Sequence, residues 1–327
     1  MTSDIARLAR STGARVVVTA HDYFTVLARV VRRAGDDLIV APDPAEWMSD
    51  LEAEEEFELH RRDFFDELSA ADVRMAPSAA HAAGLLELAP GEFGEIVVSP
   101  PPLLSAPPRL VREPVRGGNL LVTWGSIYPD KGLEIVMDAM RAAGGDWKLQ
   151  ILGVAHDPEY EAEIRNFSTG IDVTFSGAFD DSDLPKIEAD YAVLPSTCEE
   201  SYGLVMDEAQ ALGLPVIASD LQAYREHCQE SSCAFFEAGD TAELTMTLLD
   251  RDGLAKLDRP SVPDLRSAEA AADQVLGHYA AGTSPSEWSP DDALERDRAR
   301  MLFRRAERRL HTVLDSGATA LPDEFPA

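Results

Sequence analysis

Apolar residues along this chain fall into short unbroken runs, separated by longer stretches in which they recur every three or four positions. That alternation predicts buried parallel strands joined by amphipathic helices, an α/β architecture. In the first hundred residues the pattern predicts a helix near Asp4 to Ser11 and a strand over Ala14 to Ala20, built on Val16-Val17-Val18 and ending at His21. A helix over Phe24 to Arg33, a strand over Asp37 to Ala41 and a long acidic helix from about Pro44 to Ser69 follow. Val73 to Ala76 and Glu95 to Val98 read as strands with a helix between them.

Pro100, Pro101, Pro102, Pro107, Pro108 and Pro114, closing on Gly117-Gly118, interrupt any regular element and mark a boundary. Beyond it the expected strands are Leu120 to Trp124, Lys148 to Leu152, Val173 to Phe175, Tyr191 to Pro195 and Val216 to Ala218. The expected helices are Leu133 to Ala143, about Pro158 to Asn166, Leu184 to Glu188, Leu204 to Leu212 and Thr241 to Leu249. Weaker helical patterns cover Ser267 to Tyr279 and Asp291 to Leu314, and the tail from Ser316 reads as disordered. The expected organisation is a first α/β unit over 1–108, a Pro/Gly-rich linker over 109–118, a second α/β unit over 119–262 and a helical extension over 263–327.

Composition narrows the function. A net charge of -30 argues against nucleic acid as a partner, because any phosphate would need a local positive site. Cys198, Cys228 and Cys233 cannot all pair and lack zinc-ligand spacing, which fits a reducing compartment. With no apolar leader and no run of membrane-spanning length, the expected location is cytoplasmic, with peripheral attachment at the inner membrane face as a variant.

The chemistry concentrates in Pro195-Ser196-Thr197-Cys198-Glu199-Glu200-Ser201-Tyr202-Gly203-Leu204-Val205-Met206-Asp207-Glu208-Ala209, followed by Gly213-Leu214-Pro215-Val216-Ile217. This run ends a strand, crosses a loop and opens a helix. The backbone amides around Tyr202, Gly203 and Leu204 would form a helix N-terminus suited to phosphate, and Gly203 lets the backbone approach closely. Glu200 and Glu208, eight positions apart, can reach opposite ends of one ligand, and carboxylates bind sugar hydroxyls well. Upstream, Trp124-Gly125-Ser126-Ile127-Tyr128-Pro129-Asp130-Lys131-Gly132 follows the first strand of the second unit.

The longer run resembles the E-x7-E motif of family 4 glycosyltransferases, enzymes of GT-B fold built from two Rossmann-like parallel-sheet domains. The upstream run resembles the family's Gly-Arg-Leu…Lys-Gly segment, with Ser126 where the family usually carries arginine. Phe175-Ser176-Gly177, Ala189 to Ser196, Glu226 and Gly239-Asp240 continue the resemblance in the right order. His21-Asp22-Tyr23-Phe24 resembles the family's His-Asp segment at the end of an N-domain strand.

The resemblance implies a transferase that moves a sugar from a nucleotide diphosphate sugar to an acceptor, whether saccharide, lipid or small molecule, with retention of configuration and no required cofactor or metal. It implies Glu200, Lys131 and His21 as the catalytic set, with Glu200 on the transferred sugar and Lys131 as the diphosphate cation. It implies donor contacts from Ser126, Lys131, Gly177 near the base, Glu200, Ser201, Tyr202, Gly203, Leu204 and Glu208, the last on the ribose hydroxyls.

The match starts near Asp4, in the middle of the family's N-terminal domain, so that domain is expected to be incomplete and to expose a sheet edge. A second chain or a homodimer partner then completes it, or the chain is cut from a longer protein, or it is a noncatalytic nucleotide-sugar-binding or interaction subunit. An epimerase on the same fold is a further alternative, although its usual acid and base have no evident counterpart. Asp180-Asp181-Ser182-Asp183 offers a metal-binding spacing but precedes a helix, where such residues cap free amides. The Arg-rich run Arg296 to Arg309 fits either a membrane-surface helix or, given Glu295, Asp297 and Glu307, an ordinary packed one.

Overall fold

The computed structural model describes residues 9–10, 13–21, 32–33, 68–89, 91–102, 108–155, 157–264 and 266–281. In chain order the strands are β1 (Val17–Thr19), β2 (Arg32–Arg33), β3 (Val73–Ala76), β4 (Ile96–Val98), β5 (Leu120–Trp124), β6 (Lys148–Leu152), β7 (Asp172–Gly177), β8 (Tyr191–Leu194), β9 (Cys198–Glu199), β10 (Val216–Ser219) and β11 (Cys233–Phe236). The helices are α1 (Ala79–Leu88), α2 (Leu133–Ala143), α3 (Pro158–Phe167), α4 (Leu204–Leu212), α5 (Gln222–His227), α6 (Thr241–Leu249), α7 (Arg251–Leu254) and α8 (Ala268–Ala280).

Two parallel sheets organise the described residues. The first has three strands in the order β1-β3-β4, and the second six in the order β11-β10-β8-β5-β6-β7. Central strands β8 and β10 are buried at every position, whereas the edge strand β7 alternates between exposed and half-buried residues, as its solvated side requires. Alternation along the strands builds two cores. Leu121, Leu149, Ile151, Tyr191 and Val193 face α2 and α6, whose Val136, Met137, Met140, Leu244 and Leu248 complete that layer. Val122, Trp124, Leu152, Ala192 and Leu194 face the opposite way, onto Met206, Ala209 and Leu212 of α4. Each such aliphatic side chain contributes about 1.5–3 kcal/mol when fully buried. Trp124 therefore ends its strand on the same side of the sheet as α4, which is what brings it to that helix's polar residues.

The boundary region is bonded to the second sheet. Asp190, 1% exposed, accepts hydrogen bonds from the amides of Val115, Asn119 and Leu120 and from the Arg112 guanidinium. Leu110 N–H donates to the Leu212 carbonyl and Val111 N–H to that of Pro185. On the return, Arg266 donates to Ser99 Oγ and the Pro100 carbonyl, and Gln274 on α8 donates to the Val98 carbonyl, so the extension docks on the first sheet.

Most strands and helices of the second unit lie where the hydrophobic pattern places them. Two expectations are corrected. The last two residues of the helix expected over Phe24 to Arg33 form β2 instead, paired antiparallel with β9 just before Glu200. The helix expected over Leu184 to Glu188 is a single 3-10 turn, Leu184–Lys186, with Pro185 inside it. The expected elements Asp37 to Ala41 and Asp291 to Leu314 lie outside the described residues, as does most of Asp4 to Ser11 and of Pro44 to Ser69.

Candidate functional site

A cleft of about 270 Å³ opens where β5 and β8 end, lined among others by Trp124, Ser126, Tyr128, Lys131, Ser196 and Val205. The carboxyl edge of a parallel sheet is where loops diverge and ligands bind. After β5 the chain makes a 3-10 turn, Pro129–Lys131, closed by Gly132 at φ 64°. A side chain on Gly132 would drive into the Pro195 carbonyl, and Thr197 N–H donates to the Asp130 carbonyl at 2.9 Å, so this turn and the loop after β8 are fixed against each other.

That contact brings Lys131 to Glu200. Lys131 Nζ donates to Glu200 Oε1 at 2.5 Å, and the same oxygen accepts from Ser196 Oγ at 2.5 Å and from the Tyr224 hydroxyl at 3.3 Å. Burial pulls the Lys131 pKa down, but the charge and hydrogen bond of Glu200 outweigh it and hold the ammonium protonated. Tyr128 lies beside it, its ring centroid 5.3 Å from Nζ. The Tyr224 phenol, fully buried and next to Glu200, is pushed well above its ordinary pKa, so it acts as a donor.

The helix α4 begins without a side-chain cap. Gly203 occupies the N-cap at φ 84°, and its missing Cβ leaves room for the Tyr224 ring, which any side chain would overlap. No side chain caps its opening amides, of which Met206 N–H bonds back to the Gly203 carbonyl, with Leu204 exposed and Val205 lining the cleft. Ser201, just ahead, accepts the Ser78 hydroxyl on its carbonyl at 2.7 Å. Ser78 thus ties α1, which packs on the first sheet, to this loop, and Glu226 ties it to α5 by accepting from the amides of Ala79 and Ala80.

One turn into α4, Glu208 Oε2 accepts from the Trp124 indole N–H at 2.6 Å. Burial raises the Glu208 pKa, and the indole donor partly opposes it. Next to Glu208, Asp207 accepts the Tyr202 hydroxyl at 2.8 Å and lies 2.8 Å from His227 Nδ1.

Of the residues expected at the site, Ser126 and Lys131 line the cleft, Glu200 is bonded to its lining residues Lys131, Ser196 and Tyr224 and Glu208 to its lining residue Trp124, while Ser201, Tyr202, Gly203 and Leu204 lie next to it in the loop and helix start outside the lining. Gly177 closes β7 at φ 74°, its carbonyl bonded to the Gly153 amide, at the same sheet edge but outside the lining of this cleft. His21 is exposed just past β1, and no described hydrogen bond joins it to the cluster. Asp180 and Asp183 bond to the amides of Ser182 and Asp180, the turn-capping role that their sequence position implies. Glu237, Asp240 and Glu243 also cluster, but Asp240 caps α6 through the amides of Ala242 and Glu243, while Glu243 accepts the Glu237 amide. Trp124, Ser196, Asp207, Tyr224 and His227 escaped the sequence reading. A buried-side carboxylate at Asp207, with Gln210 one turn on, was the available signal.

Three kinds of likeness to known proteins agree with this geometry. A family model described as glycosyl transferases group 1 matches residues 118–250. The phosphatidyl-myo-inositol mannosyltransferase of Mycobacterium leprae is 31% identical over 180 residues, which cover 53% of this chain and 46% of that protein. The chain thus spans less than half the length of that curated relative. Sucrose-phosphate synthase from Thermosynechococcus elongatus superposes with a TM-score of 0.59 at 22% identity, over 81% of this chain and 67% of that one. HepE from Anabaena, solved with UDP and glucose, superposes with a TM-score of 0.56 at 18% identity, over 70% of this chain and 69% of that one. The structural likenesses establish a GT-B arrangement of α/β units with parallel sheets.

Proposed function

We propose that this chain is a glycosyltransferase of the E-x7-E, family 4 type, taking a sugar from a nucleoside diphosphate sugar with retention of configuration. The observation that carries this reading is the convergence of Lys131, Glu200 and the uncapped start of α4 on one cleft, with Glu208 anchored one turn further along. Transfer from such a donor expels a diphosphate, so its main electrostatic demand is a preorganised site for leaving-group charge. Lys131 and the first amides of α4 supply that site. Glu200, fixed by Ser196 and Tyr224, orients the sugar, and Glu208 receives ribose hydroxyls. No metal is required in this scheme, because the protein's own cation and helix amides meet the diphosphate.

The mannosyltransferase relative and the UDP-bound structural neighbour support a hexosyl donor and make an inositol-bearing lipid the first acceptor to assay. Such an acceptor would place the protein at a membrane face, and among the described residues no helix is long and apolar enough to cross a membrane. The test is calorimetric titration of the chain with UDP, GDP and ADP, alongside donor turnover. Binding of one nucleotide, lost in a Lys131→Ala, Glu208→Ala double variant, together with sugar release or transfer, supports the reading.

A second reading, a noncatalytic nucleotide-sugar-binding or interaction subunit, is favoured by one observation. Ser126 lines the cleft where the resemblance calls for an arginine, leaving Lys131 as the only lysine or arginine in the lining. Nucleotide binding without donor turnover would select it.

A further inference from the structure

We infer that His227 is a positioning residue of the donor loop, acting as an imidazolium that clamps Tyr202 from both ends. The inference rests on the donor-binding reading only for its functional consequence; the protonation state follows from geometry alone.

His227 Nδ1 lies 2.8 Å from Asp207 Oδ1, and Nε2 lies 2.9 Å from the Tyr202 carbonyl oxygen. An ionised carboxylate and a backbone carbonyl can only accept. A neutral imidazole carries one N–H, so it would leave one nitrogen lone pair facing an oxygen lone pair at hydrogen-bond distance. Both contacts are satisfied together only when the ring holds two protons. The Tyr202 ring stacks on the His227 ring, centroids 4.4 Å apart and 8° from parallel, an arrangement that favours a cation against an aromatic face. The Tyr202 hydroxyl closes the circuit by donating to Asp207 Oδ2 at 2.8 Å. One residue is thus held by its carbonyl, its ring and its hydroxyl, and it lies between Glu200 and Gly203.

The His227 and Asp207 side chains are 14% and 5% exposed, so solvent does little to screen the pair. Burial alone would lower the His227 pKa, but the hydrogen bond and charge of Asp207 and the Tyr202 carbonyl outweigh it, and the pKa is raised. The elements packed against α5 are α4 and α1. From α4 and its preceding loop come Asp207 and Tyr202; on α5 and at its end, Arg225, Glu226 and Cys228 are close in sequence; α1 carries His81 and Glu87. Of these, Asp207, Tyr202 and Cys228 act on His227, and Asp207 and Glu226 act on Tyr202.

The sign follows. A histidine whose folded pKa is raised contributes stability that is fully present below its ordinary value and is lost as pH rises through the raised one. On losing a proton the ring keeps the N–H that faces Asp207, where the bond is charge-assisted, and Nε2 then repels the Tyr202 carbonyl. The loop loosens, and nucleotide binding weakens with rising pH.

Two measurements on the full chain test this. Long-range proton–nitrogen NMR correlation reads the His227 ring directly across pH: both nitrogens are expected to stay protonated above the ordinary histidine range, and a ring that is already neutral within that range would overturn the inference. Binding of UDP, GDP and ADP is then followed across pH. The affinity of whichever binds is expected to fall about tenfold through the His227 titration, the scale of one lost charge-assisted hydrogen bond. Asp207→Asn should move both the NMR titration and the fall in affinity to lower pH, whereas a purely structural residue would lower affinity equally at every pH. A fall that stays in place in Asp207→Asn overturns the positioning role. If none of the three nucleotides binds at any pH, the donor reading fails while the NMR titration still judges the imidazolium.

Discussion

Lys131 and Glu200 lie 69 positions apart in the chain, yet Nζ of one is 2.5 Å from Oε1 of the other. The pair is preassembled by backbone bonds between the two loops that carry it, and it sets the charge balance of the cleft. Lys131→Ala should weaken nucleoside diphosphate binding by roughly 10- to 100-fold, the range for losing a charge-assisted contact. Stability should change little by comparison, because Ser196 and Tyr224 still donate to Glu200. Calorimetry and thermal unfolding on the same preparation separate the two effects.

Gly203→Ala should destabilise the fold by about 1–3 kcal/mol, the cost of holding a side chain at positive φ. The added methyl also meets the Tyr224 ring, whose hydroxyl reaches both Ser196 and Glu200. Urea unfolding should show the loss, and pairing the change with Tyr224→Ala should recover the overlap but not the backbone strain.

Trp124→Phe should move the acid limb of nucleotide binding to higher pH. Burial already raises the Glu208 pKa and the indole N–H opposes it, so removing that donor raises it further. A carboxyl whose folded pKa is raised stays neutral to higher pH, and between its ordinary value and the raised one the fold loses stability as pH climbs. Comparing affinity against pH in the two proteins checks the direction; an unchanged or lowered limb would rule out the indole contact as the control.

Glu226→Ala should leave the second sheet intact while loosening α1. The carboxylate accepts from the Ala79 and Ala80 amides, which otherwise lack an intrahelical partner. Hydrogen exchange at those two amides should speed up, while exchange along β8 and β10 stays as it was.

The second unit was legible because its central strands are buried on both faces, so Leu120 to Trp124 and Val216 to Ala218 stand out as apolar runs between polar loops. Helices 133–143 and 204–212 were equally clear, bounded by Gly132 and Gly144 and by Gly203 and Gly213. β2 was not legible, because its partner is β9, far along the chain, and local periodicity cannot report a pairing partner. The site divides in the same way. Glu200, Glu208 and Lys131 were found through spacing along one run or a short turn. Trp124, Tyr224 and His227 serve residues 84, 24 and 20 positions away, so their roles exist only once the sheet order brings those segments together.

The bonds that Asp190 makes to residues 112–120 also bear on how the molecule can move. From Leu110 to Leu120 the chain is held to the second sheet and belongs with it, while Arg266 is held against Ser99 and Pro100 beside the first. The Ser78–Ser201 and Glu226 contacts join α1 to the loop before α4 and to α5, so any displacement of α1 from those elements must break them.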